Sequence, residues 1–239
     1  MRRDTIFSGV KITISKENYL KAIAEAESEG ETVIAATLAR WLNVSAPAVT
    51  KALNRLKRDG LAEVKPDGIV ILTPAGRDIA TRILNRHHLI ERMLTEVFGM
   101  EWFKVHDEAE RLEHAVSADF EKLLVQKLGS GGACPHGNQT ETDTPLLRRE
   151  RGWSTLDEVR GPEEVEVVSV FERDRQLLEF LNHLDIHPGA RLQVVARNYD
   201  ETITFRRRGA DGQERESQLG VGVARKVWVT AAVPAAAGV

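Results

Sequence analysis

Two groups of possible metal ligands lie at helical spacing between residues 87 and 114. Within each group, consecutive members are four, three or one residues apart, so on an α-helix their side chains share one face. Imidazole nitrogens and carboxylate oxygens on one face suit a divalent transition ion of borderline hardness. The alternative is a pair of solvated helix faces, which six ligand-type residues in two helices disfavour. The first group is His87 and Glu91, and the second is His106, Glu110, Glu113 and His114.

The apolar residues around these groups predict helices that pack side by side. A long helix is predicted over 74–97, capped by Thr73 and ended by Gly99. A second helix is predicted over 107–115 and a third over 117–128. The apolar positions that form their shared core are Leu89, Ile90, Met93, Leu94, Val97, Leu112 and Val116.

The composition excludes secreted disulfide scaffolds and membrane proteins. Of the 239 residues, 42% are hydrophobic and 29% are charged, and the formal net charge is −3. Cys134 is the single cysteine, which excludes a disulfide framework and favours a reducing compartment. The first residues contain no apolar run long enough for a signal peptide or a membrane span. We therefore expect a cytoplasmic protein with no membrane partner.

Ahead of the candidate ligands, the pattern predicts three helices. A short arm over 1–15 leads into a first helix, for which Ser15 is the expected N-cap. A second helix is predicted over 33–42. Ser45 caps the third, which has Pro47 in its first turn, where a missing N–H costs little.

A β-hairpin is predicted directly after the third helix. Two short apolar runs, Leu61–Val64 and Ile69–Leu72, flank Pro66-Asp67-Gly68, in which Pro presets the turn and Gly permits a positive φ. Three helices followed by a hairpin are typical of a winged helix-turn-helix. A helical hairpin packed only for structure is the alternative, and the hairpin makes DNA binding the better interpretation.

The third helix is basic in an otherwise acidic chain. Residues 45–59 contain four basic residues and one acidic residue, a net charge of +3. Such a helix can neutralise phosphates while its N-terminus enters the major groove. The residues left on its outward face are Thr50, Lys51, Asn54, Arg55 and Arg58.

The last part of the chain changes character twice. Residues 129–162 lack periodicity and are predicted to be a loop and linker, in which Cys134 and His136 are weak metal candidates and a solvated loop is the better interpretation. From Glu164 the apolar period becomes two, and several short strands with one helix predict a small, strongly bent β-barrel. The tail over 231–239 is expected to be disordered.

These features together resemble the metal-dependent transcriptional regulators of the diphtheria toxin repressor and manganese transport regulator type. The resemblance covers about residues 15–230, and its most specific part is RHHLIERMLTEVFGMEWFKVHDEAERLEH; CPHG at 134–137 adds to it. It implies a mainly α fold with small β parts. The implied domains are a winged helix-turn-helix over 1–76, a helical metal-binding and dimerisation domain over 77–148, a linker over 149–164 and an SH3-like domain, similar to ferrous-transport accessory domains, over 165–230.

The resemblance also assigns roles to the candidate ligands. It implies an ancillary metal site and a primary, activating site. Iron-responsive members carry Cys at the position of Glu110, whereas manganese-responsive members carry Glu, so Mn(II) is the first choice and Fe(II) the second. The ancillary ligands are His87, Glu91 and His106, joined by Glu172 and by the poorer donor Ser169, and the primary ligands are Glu110, Glu113 and His114.

The first helix departs from this family pattern. The ligand expected there aligns with Asn18, which offers only a neutral amide oxygen, and a carboxylate seen in manganese regulators aligns with Lys21. Glu17 points about a third of a turn away from Asn18. On the DNA side, the resemblance implies base contacts from Ser45, Pro47 and Lys51 and phosphate contacts from Thr50 and Arg58. Arg55 is a further DNA-binding candidate because the helical period places it on the outward, basic face.

We therefore expect a homodimeric, manganese-responsive regulator that binds double-stranded operator DNA and controls metal uptake or storage. In that expectation, metal ties the first helix to the dimerisation helices and selects the DNA-binding state. A metal-dependent hydrolase is disfavoured because no nucleophile motif or phosphate loop is present. A peptide-binding C-terminal module is disfavoured because an aromatic groove pattern is missing.

Overall fold

The computed structural model describes residues 5–7, 10–139, 143–209 and 212–232. The chain divides into two compact units, each of which draws on several segments. The first unit takes its described residues from Met1–Met93, Ala109–Gly132 and Gln139–Pro145, and the second from Leu94–Glu108, Ala133–Asn138 and Leu146–Val239. The predicted domain boundaries stay a prediction, because these units interleave along the chain.

The first unit begins with a small β-ribbon where the sequence predicts an arm. Strands β1 (Thr5–Phe7) and β2 (Val10–Ile12) pair antiparallel. Helix α1 (Ile14–Ser28) follows, and its N-cap is Thr13, whose hydroxyl accepts a hydrogen bond from the Lys16 backbone N–H. The prediction of Ser15 as the cap was wrong, because the helical turn already includes Ile14.

The predicted three helices and hairpin are confirmed. Helix α2 spans Ala35–Trp41 and helix α3 spans Ala46–Arg58, with Ser45 at its N-cap position and Pro in its first turn. Strands β3 (Ala62–Val64) and β4 (Val70–Leu72) form an antiparallel pair. The largest fully buried side chains that hold this part of the core together are Leu20, Ile23, Leu38 and Leu56.

The long helix is confirmed, with a change of pitch near its end. Helix α4 spans Pro74–Arg92, and Thr73 caps it by accepting a hydrogen bond from the Gly76 N–H. A π-helical turn over Met93–Val97 continues it to the predicted end. After a 3-10 turn over Trp102–Lys104, helix α5 covers Val105–Leu112 and helix α6 covers Ala118–Leu128.

The segment predicted as a plain loop and linker contains ordered elements. Helix α7 spans Pro145–Glu150, strand β5 spans Ser154–Thr155, and a 3-10 turn covers Leu156–Glu158. Trp153 and the buried Leu156 are apolar residues isolated among polar ones, so periodicity could not reveal them.

The second unit is built on one antiparallel sheet. In chain order its elements are β6 (Glu163–Val170), α8 (Arg175–His183), β7 (Arg191–Arg197), β8 (Ile203–Arg208), β9 (Glu214–Leu219), α9 (Val221–Ala224) and β10 (Val227–Ala231). With β5 they form a six-stranded sheet in the order β5-β10-β6-β7-β8-β9. Irregularities between Val194 and Ala196 and between Trp228 and Val229 bend it.

Two expectations about this sheet need correction. Strand β9 went unpredicted because its sequence, ERESQL, is polar at almost every position and lies at the sheet edge. Ala231 belongs to β10 and pairs with Val165, although the disordered tail was predicted to begin there. The rest of that tail prediction, over 233–239, lies outside the described residues. Within the described part of the chain, no helix is both long and apolar enough to cross a membrane.

Candidate functional site

Helix α3 presents the predicted DNA-contacting residues to solvent. Val49, Leu53 and Leu56 are buried against the first unit, and the remaining turns of the helix project outward. This division follows from the 3.6-residue period, which separates an apolar stripe from a polar one. The residues on the exposed face include all six predicted contacts, Ser45, Pro47, Thr50, Lys51, Arg55 and Arg58.

An acidic residue at the end of α3 holds two cations close to this face. The Lys16 ammonium lies 2.7 Å from one Asp59 carboxylate oxygen, and Arg58 Nε lies 3.2 Å from the other. The hydrogen bond from Lys16 lowers the pKa of Asp59, which stays ionised. Asp59 therefore fixes the position of Arg58 near the first helix at the cost of part of its positive charge.

The wing is a short turn with the predicted chemistry. The Gly68 N–H donates to the Lys65 carbonyl at 2.9 Å, and the Ile69 N–H donates to the Asp67 carboxylate at 3.1 Å. Gly68 has φ +85°, a conformation that favours glycine. Lys65 is exposed at the tip and adds one more positive charge to this surface of the first unit.

The predicted primary ligands lie in the first unit around the side chain of Lys21. The Lys21 ammonium is 2.8 Å from Glu113 Oε2 and 3.8 Å from both Glu110 Oε1 and Glu25 Oε1. Its side chain is 4% exposed. Burial alone would lower the pKa of Lys21, but the surrounding carboxylates, Glu25 and Glu113 first, raise it above the ordinary value. We refer to Lys21, Glu25, Glu110 and Glu113 as the Lys21 cluster.

His87 borders this cluster with one nitrogen and faces Glu91 with the other. Nδ1 lies 2.6 Å from Glu113 Oε2, and Nε2 lies 3.0 Å from Glu91 Oε1. Burial and the charge of Lys21 lower the pKa of His87, whereas Glu91 and Glu113 raise it, for a net value of about 9. Burial would raise the pKa of Glu113, but the His87 hydrogen bond and the Lys21 charge lower it to about 2.

The other two predicted primary ligands have different surroundings. His114 Nδ1 is 2.8 Å from a carboxylate oxygen of Glu17, and His114 Nε2 is 3.4 Å from Glu113 Oε1. Asn18 is exposed, so the structure gives no support to it as a ligand and places Glu17 on this side of α1 instead. The expectation for Asn18 came from its alignment with a ligand position of the family, and Glu17 is its neighbour, about 100° away around the helix axis.

The residues of the predicted primary site do not fit a metal ion in this arrangement. A divalent ion about 4 Å from the Lys21 ammonium would be repelled by about 8 kcal/mol at an effective dielectric constant of about 20. The carboxylates that would bind it already bind that ammonium, and His114 is engaged by Glu17.

By contrast, His87 and Glu91 fit a metal ligand pair. Both side chains are fully buried, and Nε2 and Oε1 converge at 3.0 Å. The opposite ring nitrogen of His87 faces the carboxylate of Glu113, the arrangement by which proteins usually orient a metal-binding imidazole. Burying an imidazole and a carboxylate side by side is costly unless a proton or a cation is shared between them.

The other predicted ligands, His106 and Glu172, lie together in the second unit. His106 Nδ1 is 3.8 Å from Glu172 Oε1, while the second Glu172 oxygen is 3.4 Å from His136 Nδ1 and 3.4 Å from Cys134 Sγ. All four residues are buried. The interpretation of Cys134 and His136 as part of a solvated loop was therefore wrong. Nitrogen, oxygen and sulfur donors in one buried cluster fit a divalent transition ion.

Backbone contacts explain why the 134–138 loop is buried. The His136 carbonyl accepts a hydrogen bond from the Val170 N–H at 2.9 Å, which extends β6. Gly137 has φ +85°, and a Cβ there would lie 1.9 Å from the Val168 carbonyl oxygen, so only glycine fits. Asn138 donates to Glu172 Oε2 at 2.6 Å and accepts from the buried Arg148 at 3.4 Å. The 134–138 loop, through Asn138, therefore supports Glu172.

Several of these residues carry weak sequence features. Glu25 follows Lys21 by four residues, the spacing of a helical ion pair, and this could have marked both. Asn138 and Arg148 have no such pattern, because their partner Glu172 is distant in sequence. Ser169, the poorer donor, is buried in β6. That His87, Glu91, His106 and Glu172 act as one set stays a prediction of the sequence.

Three family models match the chain. The iron dependent repressor N-terminal DNA binding domain matches residues 11–70. The iron dependent repressor metal binding and dimerisation domain matches residues 73–142, and the FeoA domain matches residues 154–231.

Two relatives and two solved structures illustrate the similarity. The diphtheria toxin repressor of Corynebacterium diphtheriae is 34% identical over 208 residues, which cover 82% of this chain and 89% of that protein. The iron-dependent repressor IdeR of Mycobacterium tuberculosis is 41% identical over 122 residues, 51% of this chain and 53% of that protein.

Among solved structures, a manganese-dependent transcriptional repressor in complex with manganese is 31% identical, covers 91% of this chain and 100% of its own, and has a TM-score of 0.79. The manganese regulator SloR is 28% identical, covers 92% of this chain and 100% of its own, and has a TM-score of 0.73. Of these four proteins, IdeR is named for iron and the two solved structures are named for manganese.

Proposed function

Because the chain belongs to the diphtheria toxin repressor family of metal-dependent, DNA-binding transcriptional repressors, we propose that it is a manganese-responsive repressor of metal uptake or storage genes. The family consists of repressors and not of enzymes, so the chemistry at stake is ligand binding. The observation that carries the proposal is the exposed basic face of α3 in a winged helix-turn-helix, in a chain with buried metal-type donors.

We propose that α3 enters the major groove of operator DNA. Ser45, Pro47 and Lys51 lie at the exposed N-terminal half of the helix, which is the half that reaches base edges in this motif. Thr50, Arg55 and Arg58 are exposed on the same helix and contact phosphates or their immediate surroundings.

The proposed assembly is a homodimer that reads two related half-sites. Helix α6 exposes Phe120 by 42% and Leu123 by 58%, three residues apart and therefore on one face. Large apolar side chains on one helix face are suited to a two-fold symmetric partner. A dimer places two copies of α3 a fixed distance apart, so the operator is expected to be a palindrome with half-sites about one helical turn apart.

Within each unit, the proposed metal ligands are a histidine and a carboxylate. In the first unit they are His87, through Nε2, and Glu91; in the second they are His106 and Glu172. Bound metal supplies a positive charge that holds such buried donors together and stabilises the state in which they converge. Glu113 orients His87, and Asn138 orients Glu172.

We further propose that the effector metal is Mn(II). Carboxylate donors suit the hard ion Mn(II), and a donor set without thiolate reduces the advantage in affinity that softer ions have over it. An Fe(II) response is the second candidate, and Cys134 is the observation that favours it, because its sulfur lies 3.4 Å from a Glu172 oxygen.

Anaerobic DNA-binding titrations test this choice. An operator is first selected from random DNA in the presence of Mn(II), and its symmetry and the mass of the complex report the dimer. The concentration of Mn(II) or Fe(II) that gives half-maximal binding is then compared for the parent and Cys134→Ser. If Mn(II) is the effector, the substitution should leave the metal ranking unchanged. An Fe(II) response that exceeds the Mn(II) response in the parent and is lost in Cys134→Ser would favour iron and contradict the Mn(II) proposal.

A further inference from the structure

The Lys21 cluster has the composition of a coordination shell, with an ammonium at its centre. Lys21 Nζ lies 2.8 Å from Glu113 Oε2 and 2.9 Å from His87 Nδ1. Carboxylate oxygens of Glu25 and Glu110 each lie 3.8 Å from it. Three carboxylates and one imidazole are therefore grouped around one fixed positive charge in the first unit.

The Lys21 ammonium joins helix α1 to α4, through His87, and to the α5 region, through the carboxylates of the cluster that lie there. Lys21 and Glu25 lie one turn apart on α1, so the ammonium is held by its own helix as well as by its neighbours. His87 lies on α4, Glu110 on α5 and Glu113 directly after it. An unpaired ammonium with a side chain only 4% exposed would be very unfavourable, and the acidic neighbours remove that cost.

We infer that Lys21 is the resident cation of this cluster and replaces a metal ion there. The first helix is therefore joined to α4 and to the residues after α5 in metal-free protein, and this joint does not depend on metal. The inference rests on the proposed metal response, and it leaves that response to the donor pair proposed in each unit: His87 Nε2 with Glu91 in the first, and His106 with Glu172 in the second.

Equilibrium binding of Mn(II) alone to the full-length, metal-free chain tests the inference, with free ion measured by electron paramagnetic resonance. Lys21→Met removes the charge at nearly constant length and is expected to bind one Mn(II) per chain more than the parent. Lys21→Arg keeps a charge and is the matched control, expected to bind the same number as the parent. Adding Glu110→Gln to Lys21→Met should weaken the extra ion at least tenfold.

Two results would overturn the inference. The first is a Lys21→Met variant that binds no more Mn(II) than the parent. The second is a loss of one bound Mn(II) on introducing Glu110→Gln alone, because the parent would then hold metal in the cluster. The half-exposed Glu110 tolerates this change, so the second arm decides the matter even if Lys21→Met does not fold.

Hydrogen exchange of the α1 backbone amides gives an independent readout. In the parent, Mn(II) should leave α1 protection unchanged, since the joint is already made; a Mn(II)-induced rise in that protection would contradict the inference. In Lys21→Met, protection should fall in metal-free protein and recover with Mn(II). A parent chain that binds no Mn(II) at all contradicts the proposed function, while the comparison of α1 exchange in the two metal-free proteins still tests the role of Lys21.

Discussion

Replacing Glu113 with glutamine is expected to destabilise the metal-free first unit by about 3 kcal/mol at pH 6. The pKa of Glu113 lies at about 2 in the folded chain, against an ordinary value of 4.5. This difference between the folded and unfolded pKa corresponds to about 3 kcal/mol of stability at a pH above both values. The side chain is 3% exposed, so solvent screening removes little of this contribution. Glutamine keeps the shape of the Glu113 side chain and loses the negative charge that both Lys21 and His87 contact.

The stability of the first unit is expected to fall at both low and high pH. A lowered carboxyl pKa stabilises the fold above pH 4.5 and loses that contribution as the pH falls towards about 2. The pKa of His87 is raised from 6.5 to about 9, so its contribution is complete below pH 6.5 and is lost as the pH rises through 9. Both shifts arise from the same contact and are not added. The parent should therefore be most stable between pH 4.5 and 6.5, and Glu113→Gln should flatten the acid side.

Urea unfolding followed by fluorine resonances of 5-fluorotryptophan measures this effect. Trp41 lies in the first unit, whereas the other tryptophans lie in the second, so its resonance, assigned with Trp41→Phe, reports the first unit alone. The matched control is Glu121→Gln, whose partner Arg86 is 2.8 Å away and whose side chain is 29% exposed; its cost should stay below about 1 kcal/mol. A Glu113→Gln variant whose free energy of unfolding lies within about 1 kcal/mol of the parent's at pH 6 would show that the charge of Glu113 does not stabilise the fold. A destabilisation at pH 3 as large as that at pH 6 would show the same.

Further expectations follow from other parts of the molecule. Lys51→Ala should lose about 1–3 kcal/mol of discrimination at one base pair per half-site. Arg58→Ala should weaken binding to all DNA sequences alike and lower the salt dependence of binding by about one phosphate contact. Competition between operator and random DNA at several salt concentrations separates the two effects. Equal losses on both DNAs for Lys51→Ala would contradict this division. Glu172→Gln should weaken Mn(II) binding at least about tenfold in direct titration, and an unchanged affinity would remove Glu172 from the ligands. Gly137→Ala should destabilise the second unit by about 1–3 kcal/mol, measured by calorimetry. The control, Gly161→Ala, should be nearly neutral, because a Cβ there would meet no other atom within 4 Å. Similar unfolding temperatures for the two variants would show that the close approach of Gly137 to Val168 is unimportant.

Local patterns were sufficient to predict the helices and the winged motif. Three boundaries are fixed by short-range hydrogen bonding or by a preset φ: the start of α4 at Thr73 and Pro74, the start of α3 at Ser45 and Pro47, and the Pro-Asp-Gly turn. The structure has a helix start or a hairpin turn at each of them. The donors at 87, 91, 106, 110, 113 and 114 could likewise be found from spacing, because helical periodicity is a property of neighbouring residues.

Contacts between distant segments could not be predicted in the same way. Lys21 looked like a departure from a ligand pattern, and only the fold shows that its ammonium lies among Glu25, Glu110 and Glu113. The burial of Cys134 and His136 depends on the pairing of their loop with β6, and the composition of the loop gives no sign of that pairing. The polar strand β9 is ordered by its ladder with β8, so its side chains carry no apolar alternation.

Control of operator binding by metal can be measured in a single titration. Fluorescence anisotropy of a labelled operator, at fixed salt, is measured with the metal-free chain and again after addition of Mn(II), with a chelator added at the end. We expect Mn(II) to tighten specific binding at least tenfold, to leave binding to random DNA nearly unchanged, and to lose its effect on chelation. Equal operator affinity with and without Mn(II) would contradict this expectation.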